Sequence, residues 1–434
     1  MRWSVKEAKR RMNSVQSHPS AALLGVANKP PLTWELPQPK RPIALKVATL
    51  LDGKGGTLRD TVVVVSGDKI ERIGGPVPQG AQVYDLGGMT VAPGLIDTHV
   101  HVTYHFSHDR FIDNRLVGQD EPMPDSVLFG VENGVRILEA GFTTVQSLGP
   151  GTAWDLPLRE AWARNLVAGP RLLTSLQWFR YDQPGQTVQP DSELRAMVRD
   201  LKARGADAIK IFASTSVREG SRPTLTQAQL DVICGECRSQ GLRSVVHAYT
   251  SAVKMAAQAG CTAIEHGTGG MTDEALALMA AKGTFFDPTV GVVTENYVAN
   301  KDKYLGVGNY TAEAFAMMEK LIANPKPPEE FIRSLKVPGL KIVYGSDATA
   351  GAHGHNAEGL LYRIKFGGQD AMQALVSATS LAAESLNLGS EIGTIAPGMT
   401  ADIVAMRGDY LADATALRQM AFVMKGGRVF KYQP

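Results

Sequence analysis

An apolar run over residues 91–101 ends in two histidines that are separated by a single residue. Side chains at positions i and i+2 of a β-strand point to the same face, so His99 and His101 project together. Neutral imidazole is the commonest metal ligand in proteins, and two histidines without partners would be costly to bury in an apolar strand. A metal site is therefore the first hypothesis, and the rest of the chain must supply the other ligands.

Four further residues of ligand type lie in or at the ends of other apolar segments. They are Lys210, His247, His266 and Asp347. Any one histidine can be a satisfied core residue, but the whole set favours a metal centre. A buried lysine has a lowered pKa, so a neutral Lys210 amine can react with CO₂ to give a carbamate that bridges two metals. The alternative is a lysine paired with an acid such as Asp347.

The elements that position these residues alternate between strand and helix patterns. The predicted strands are residues 90–102, 143–148, 171–176, 208–213, 243–248, 263–266, 284–286 and 341–347, and the predicted helices are residues 125–140, 154–167, 192–204, 226–240, 251–258, 273–281, 312–323 and 368–386. Eight such units predict an α/β fold, a (β/α)₈ TIM barrel. Active sites of such barrels form at the carboxyl ends of the strands, where the ligand candidates lie.

The two ends of the chain carry a different pattern. A hairpin is predicted around the turn at residues 66–69, and short strands are predicted at residues 401–406 and 422–430. We expect both ends to form one small β-sandwich domain, residues 43–89 and 388–434, with the barrel at residues 90–387 between them. Residues 1–42 are basic and then proline-rich, which predicts an N-terminal arm. A signal peptide is the alternative, although its apolar core would be short and late.

Composition excludes several classes of protein. The chain has 434 residues, a formal net charge of +2 and a charged fraction of 20%, as in ordinary globular proteins. No strong field indicates a nucleic acid or membrane partner, and no apolar run approaches the roughly 20 residues of a spanning helix. Three cysteines argue against a disulfide framework. The Cys234 and Cys237 pair falls inside a predicted helix, which favours packing thiols over a zinc or redox site.

The motif Asp-Thr-His-Val-His at residues 97–101, together with the lysine of the fourth strand, the two later histidines and the aspartate of the eighth, resembles the metal-dependent amidohydrolase superfamily. The resemblance runs from about residue 45 to the end of the chain. It is closest to the imidazolonepropionase-related branch, with its Xaa-Pro dipeptidases, carboxypeptidase-like enzymes and ochratoxin-hydrolysing amidases. Imidazolonepropionases themselves hold one metal and lack a lysine at this place, whereas residues 209–214 are similar to the binuclear members.

The resemblance implies a ligand set and a mechanism. His99, His101 and Asp347 would hold one divalent ion, His247 and His266 the other, and N6-carboxylated Lys210 would bridge them. Zinc suits the histidine-rich set, and manganese, cobalt or iron stay open. A metal-bridging hydroxide would attack the substrate carbonyl, and Asp347 would act catalytically by moving its proton to the leaving nitrogen.

Substrate recognition is expected in the loops after the strands. In the peptidase-like relatives a tyrosine at the place of Tyr249 binds the substrate α-carboxylate, and packing under a loop is the alternative. Arg218 or Arg222 can grip a carboxylate through two hydrogen bonds, or either can be a solvated surface charge. His353, in the loop after Asp347, is a further candidate contact.

The prediction is therefore a binuclear hydrolase of an amide or peptide bond beside a C-terminal amino acid. Cyclic amides, lactones or organophosphates are alternative substrates, and a non-catalytic metal-binding barrel is the competing class. We expect a small-molecule or dipeptide-like substrate, no nucleic acid, no membrane partner and a homo-oligomer. The expected location is cytoplasmic, or secreted or periplasmic if an N-terminal signal is removed.

Overall fold

The computed structural model describes residues 41–107, 110–112, 123–149, 154–181, 187–325 and 328–434. Residues 1–40, and with them nearly all of the predicted N-terminal arm, lie outside this description. No helix within the described ranges is long and apolar enough to cross a membrane.

The strands alternate with helices through the middle of the chain and follow one another directly at its ends. The strands are β1 Ile43–Leu51, β2 Thr57–Ser66, β3 Lys69–Ile73, β4 Gln82–Pro93, β5 Leu95–Val100, β6 His105–Ser107, β7 Arg110–Ile112, β8 Phe142–Ser147, β9 Arg171–Thr174, β10 Trp178–Phe179, β11 Ala208–Phe212, β12 Arg243–Ala248, β13 Ala263–His266, β14 Phe285–Asp287, β15 Lys341–Ile342, β16 Ile403–Arg407, β17 Met420–Lys425 and β18 Arg428–Tyr432. The helices are α1 Met123–Glu139, α2 Asp155–Ala163, α3 Asp191–Ala203, α4 Gln227–Ser239, α5 Ser251–Gln258, α6 Asp273–Lys282, α7 Val292–Ala299, α8 Lys301–Tyr304, α9 Ala312–Ala323, α10 Glu329–Ser334, α11 Glu358–Lys365, α12 Ala371–Ser377 and α13 Ser380–Ser385.

A TIM-barrel arrangement of parallel strands carries the candidate site, as the sequence predicts. One sheet has the order β5-β8-β9 and the other β10-β11-β12-β13-β14-β15. Backbone hydrogen bonds link the two sheets at both edges. Asp207 N–H donates to Thr174 O at 2.8 Å on one side, and Thr98 N–H donates to Tyr344 O at 2.9 Å on the other. The eight predicted strands therefore lie side by side around a common interior.

The interior of the barrel is filled below the site by one small apolar layer. Its members come from six neighbouring strands or their ends: Leu148, Ala208, Val245, Ala263, Phe285 and Val343. Because side chains of a strand alternate between its faces, the residues two positions further along, Lys210, His247 and Glu265, face the same interior. This layer therefore forms the floor on which the candidate ligands stand.

The two chain ends share one seven-stranded sheet of order β18-β17-β16-β4-β1-β2-β3. The predicted hairpin corresponds to β2 and β3, and the predicted C-terminal strands to β16, β17 and β18. The predicted strand at residues 90–102 is wrong as one element. Residues 90–93 extend β4 and pair with β16, and the barrel strand begins only at Leu95. The division into arm, sandwich and barrel at residues 42, 89 and 387 stays a prediction.

Two further expectations need correction. The predicted helix at residues 368–386 is two helices, α12 and α13, and the sequence patterns did not indicate α7, α8, α10 or α11. The argument against disulfides is also wrong, since Cys234 bonds Cys261 with their Cα atoms 5.2 Å apart. An odd cysteine count excludes complete pairing but not a single bond, and Cys261 lies just before β13, beside helix α4. Cys237 is free and buried, on the same helix.

Candidate metal centre

The six ligand candidates converge at the carboxyl ends of the barrel strands. Asp347 Oδ1 lies 3.1 Å from His101 Nε2 and 3.3 Å from His99 Nε2. Lys210 Nζ lies 3.3 Å from His99 Nε2, and the His266 ring centroid lies 5.5 Å from that of His99. His247 and His266 are adjacent, with ring centroids 4.5 Å apart. All of these residues line one pocket.

Left-handed backbone conformations at two of these residues set the geometry. His266 has φ of 71° and Asp347 has φ of 55°, a region that residues other than glycine seldom adopt. Regular alternation along β13 would turn only Glu265 inward. The change of conformation at His266 brings its ring to the site as well. Such strain commonly lies at functional sites.

Gly345 allows the last barrel strand to approach the first. A methyl group on its Cα would collide with the Asp287 carboxylate and with Cβ of His99. Glycine is therefore required here for close packing, and the short distance that it permits brings Asp347 within reach of His99.

Asp97 of the histidine motif holds this junction together and is not one of the converging groups. Its carboxylate accepts hydrogen bonds from Ser346 N–H at 2.9 Å, Ser346 Oγ at 2.6 Å and Asn356 Nδ2 at 2.8 Å. It also accepts the backbone N–H of His99 at 3.1 Å. A single buried carboxylate thus fixes the backbone beside two candidate ligands, His99 and Asp347.

Glu265 is a site residue that the sequence reasoning missed. Its Oε2 accepts a hydrogen bond from His99 Nδ1 at 2.7 Å, and both side chains are buried. A donated Nδ1–H leaves His99 Nε2 as the nitrogen with a free lone pair, and such carboxylate partners orient metal-binding histidines. The signal was present, since Glu265 is an acidic residue within an apolar strand, immediately before His266.

Burial sets the charge state of the candidate ligands. Burial, together with the adjacent Lys210, lowers the pKa of His99 well below its ordinary value. Burial, together with His266, does the same to the pKa of His247. Burial also lowers the pKa of Lys210. The imidazoles are therefore neutral, the form that binds metal, and the amine is more easily deprotonated than a surface lysine.

The pocket has a volume of about 190 Å³, and two of the predicted substrate contacts lie in it. The Tyr249 ring stacks on His266, with centroids 5.2 Å apart, and burial raises the pKa of Tyr249, which keeps its hydroxyl a donor. The Arg218 guanidinium lies 4.5 Å from the ring centroid of Tyr310. Its Nε donates to Asn309 Oδ1 at 3.1 Å.

The other two candidates lie elsewhere. Arg222 is exposed and does not line this pocket, so of the two arginines it is Arg218 that faces the site. His353 is buried and lines a different cavity, beside Arg136 and Arg418. The chain turns away from the pocket after Asp347, which is why proximity in sequence was a poor guide for His353.

The sequence profile of the amidohydrolase family matches residues 90–430, most of the chain. The chain belongs to the amidohydrolase family. It is therefore a hydrolase of carbon–nitrogen bonds, and the alternative of a non-catalytic barrel does not hold. Members of this superfamily generally use divalent metal ions, and His99, His101 and Asp347 present ligand atoms within 4.8 Å of one another.

Curated relatives of this amidohydrolase are distant but nearly full-length. The imidazolonepropionase of Erwinia tasmaniensis is 23% identical over 391 residues, which cover 82% of this chain and 89% of that protein. The imidazolonepropionase of Pseudomonas entomophila is 24% identical over 409 residues, 84% of this chain and 92% of that protein.

Solved structures give similar coverage. A Xaa-Pro dipeptidase with methionine bound in its active site is 26% identical, has a TM-score of 0.76, and matches 90% of this chain and 100% of its own. Aspergillus niger ochratoxinase is 21% identical, with a TM-score of 0.75, and matches 91% of this chain and 96% of its own. At that identity the ochratoxinase shows the fold alone.

Glu265 yields the first prediction. Glu265→Ala removes the acceptor that fixes the His99 ring, and we expect metal affinity to fall about 10- to 100-fold. Glu265→Gln keeps an acceptor oxygen and should recover part of that loss. The measurement is metal content after dialysis against graded chelator concentrations, with Glu274→Ala as control, because that glutamate is 71% exposed. Unchanged metal affinity in Glu265→Ala would contradict the role.

Proposed function

We propose that this amidohydrolase hydrolyses an amide or peptide bond beside a C-terminal amino acid, as a dipeptidase, a carboxypeptidase or an amidase of N-acyl amino acids. The observation that carries the proposal is the position of Arg218 and Tyr249 in the same pocket as the six ligand candidates. A carboxylate group and a metal-activated amide can thus be held together in one cavity. Zinc is the proposed metal, at two sites.

The donor set fits two divalent ions. Among the described residues, the buried Nε2 of His247 has no hydrogen-bond partner, and such an atom is costly unless it binds a ligand. His99, His101 and Asp347 would hold one ion, His247 and His266 the other, and carboxylated Lys210 would lie between them. Bound there, the ions would polarise the scissile carbonyl and supply an activated water molecule.

The protein's own groups move the protons. The Asp347 carboxylate lies where it can accept the proton of the attacking water and return it to the leaving nitrogen. That transfer suits an amide, whose amine is a poor leaving group unless it is protonated. Lys210 becomes a bridging anion when its neutral amine adds to CO₂ and loses a proton.

Arg218 and Tyr249 supply recognition of the carboxylate. Arg218 is held between aromatic rings, 4.5 Å from the Tyr310 centroid and 5.5 Å from that of Tyr297. With Nε bound to Asn309, its fork of terminal nitrogens is oriented before the substrate arrives. Preorganised guanidinium groups bind carboxylates well because less side-chain entropy is lost.

Tyr249→Phe tests this role. Loss of one hydrogen bond to a charged group costs about 1.5–3 kcal/mol, so KM should rise on the order of 10- to 100-fold for substrates with a free carboxylate. Amidated versions of the same substrates should be affected much less. Steady-state kinetics on matched acid and amide pairs measures this, with Tyr362→Phe, outside the pocket, as control. An equal effect on both members of a pair would contradict the assignment.

Opening of a cyclic amide is the second candidate, and the names of the curated relatives favour it. Lactones and organophosphates demand the same chemistry. A screen of the purified enzyme against dipeptides, N-acyl amino acids, imidazolones and lactones, with and without added zinc, separates these. Turnover of imidazolones with none of N-acyl amino acids would replace the main proposal.

The remaining expectations are proposals of the same kind. We propose a small-molecule substrate with neither nucleic acid nor membrane as partner, and a homo-oligomer, which sedimentation velocity measures. The Cys234–Cys261 disulfide favours an oxidising compartment, so secretion or export to the periplasm is the better proposal than the cytoplasm. Fractionation of the producing cells decides between them.

A further inference from the structure

The mouth of the metal pocket is apolar on the side that carries Arg218. Helix α9 buries Ala314, Phe315 and Met318 in a local aromatic cluster. The same helix has a second apolar stripe, Met317 and Leu321, which are spaced i and i+4 and so lie next to each other on its surface. An amphipathic helix needs one buried face, and this stripe remains exposed.

Val217 faces the pocket from the opposite loop. Exposed fractions are 43% for Val217, 36% for Met317 and 54% for Leu321, and all three line the same pocket as the candidate ligands. Val217, Met317, Met318 and Leu321 are called the apolar rim from here on. Exposed apolar groups that are continuous with a polar site mark a binding surface more often than chance.

Polar groups near the rim are already engaged with one another. Asn309 accepts from Arg218 Nε and donates through Nδ2 to Ser216 Oγ at 3.2 Å. They orient the arginine instead of presenting a polar surface beside it. What a ligand would contact around the guanidinium is therefore largely hydrocarbon and aromatic ring.

We propose that the apolar rim binds the side chain of the C-terminal amino acid, so that the preferred substrates release a large apolar residue. This rests on the proposed function, because it assumes that Arg218 holds the substrate carboxylate. In an α-amino acid the side chain and the carboxylate leave the same carbon atom. A carboxylate held at Arg218 therefore places the side chain against the wall that follows Val217 in the chain and α9 in space.

The experiment uses the full-length, metal-loaded enzyme and one acyl group, benzoyl, on glycine, leucine, phenylalanine and glutamate. Burying an apolar side chain in such a pocket is worth about 10- to 200-fold in specificity. We expect kcat/KM for leucine and phenylalanine derivatives to exceed that for glutamate by at least about tenfold. Leu321→Glu should reduce this ratio about tenfold through KM, and Leu321→Lys should improve the glutamate derivative relative to wild type.

Leu128→Glu is the matched control, since Leu128 is 68% exposed on helix α1 and does not line the pocket. It should leave all the ratios unchanged. If Leu321→Glu fails to fold, as judged by circular dichroism, Met317→Glu takes its place.

The outcomes separate the inference from the function on which it rests. Hydrolysis of all four derivatives without a preference for apolar side chains overturns the rim but keeps the proposed function. Hydrolysis of none of them, nor of dipeptides, overturns both. A change of sedimentation coefficient in Leu321→Glu with unchanged ratios would make the rim a contact between copies of this chain, and would also overturn the proposal.

Discussion

Replacement of Asp347 by asparagine is expected to remove turnover while leaving the fold and most of the metal affinity in place. Asparagine keeps the shape and one oxygen that can coordinate a metal, but its amide cannot accept a proton at neutral pH. General base catalysis contributes about 10²–10⁴-fold. We therefore expect kcat to fall at least about 10³-fold, with kcat/KM lowered in parallel because the lost interaction belongs to the transition state.

The local structure makes this substitution unusually clean. Asp347 has φ of 55°, and asparagine tolerates that conformation as well as aspartate does, whereas alanine would add backbone strain. The backbone on either side is also held independently of the side chain, since Asp347 N–H donates to His99 O at 2.8 Å. A loss of activity therefore reports on the carboxylate and not on a rearranged loop.

Two controls decide the interpretation. Asp200→Asn changes an aspartate that is 62% exposed on α3, and it should have full activity. Metal analysis of Asp347→Asn distinguishes a lost base from a lost ligand. An Asp347→Asn enzyme that retains both its metal and full activity would reject Asp347 as the base.

The sequence was sufficient for the repeating part of the molecule and for the residues that the repeat positions. The alternation along β11 and β12 predicted that Lys210 and His247 face inward, and the structure places both beside the histidines of β5. That inference needs only local periodicity and the rule that parallel strands present their carboxyl ends together.

The residues that sequence reasoning missed depend on contacts between distant segments. Glu265 gains its role from His99, which is 166 positions away, and no local pattern connects them. The aromatic cage around Arg218 comes from residues 288–340, where the helices are short and lie between polar turns. His353 shows the converse error, because closeness in sequence to Asp347 did not place it in the pocket.

Lys210 carries the second large prediction. Its side chain is 1% exposed, and a buried ammonium group beside metal ions would be repelled by them. Conversion to a carbamate turns this repulsion into attraction. Lys210→Ala should therefore lose one equivalent of metal and at least about 10³-fold in kcat, since a bridging ligand positions both ions. Lys210→Arg, which stays cationic and cannot form the carbamate, should be equally inactive.

Chemical rescue separates a bridging carboxylate from a merely structural lysine. In Lys210→Ala the deleted side chain leaves a cavity that opens towards His99 and Asp347, and a short carboxylate such as acetate or propionate can place its two oxygens where the carbamate would be. Activity and metal content should then recover together, and in proportion to the carboxylate added. Chloride at the same ionic strength should have no effect.

The wild-type enzyme offers an independent route to the same conclusion. Removal of metal by chelation under CO₂-free buffer should release the carbamate, so that zinc alone restores little activity and zinc with bicarbonate restores it fully. A neutral lysine that only packs against His99 would respond to zinc regardless of bicarbonate. Full reconstitution without CO₂, or an active Lys210→Ala enzyme, would reject the bridge, and would leave a centre in which the histidines and Asp347 bind the metal alone.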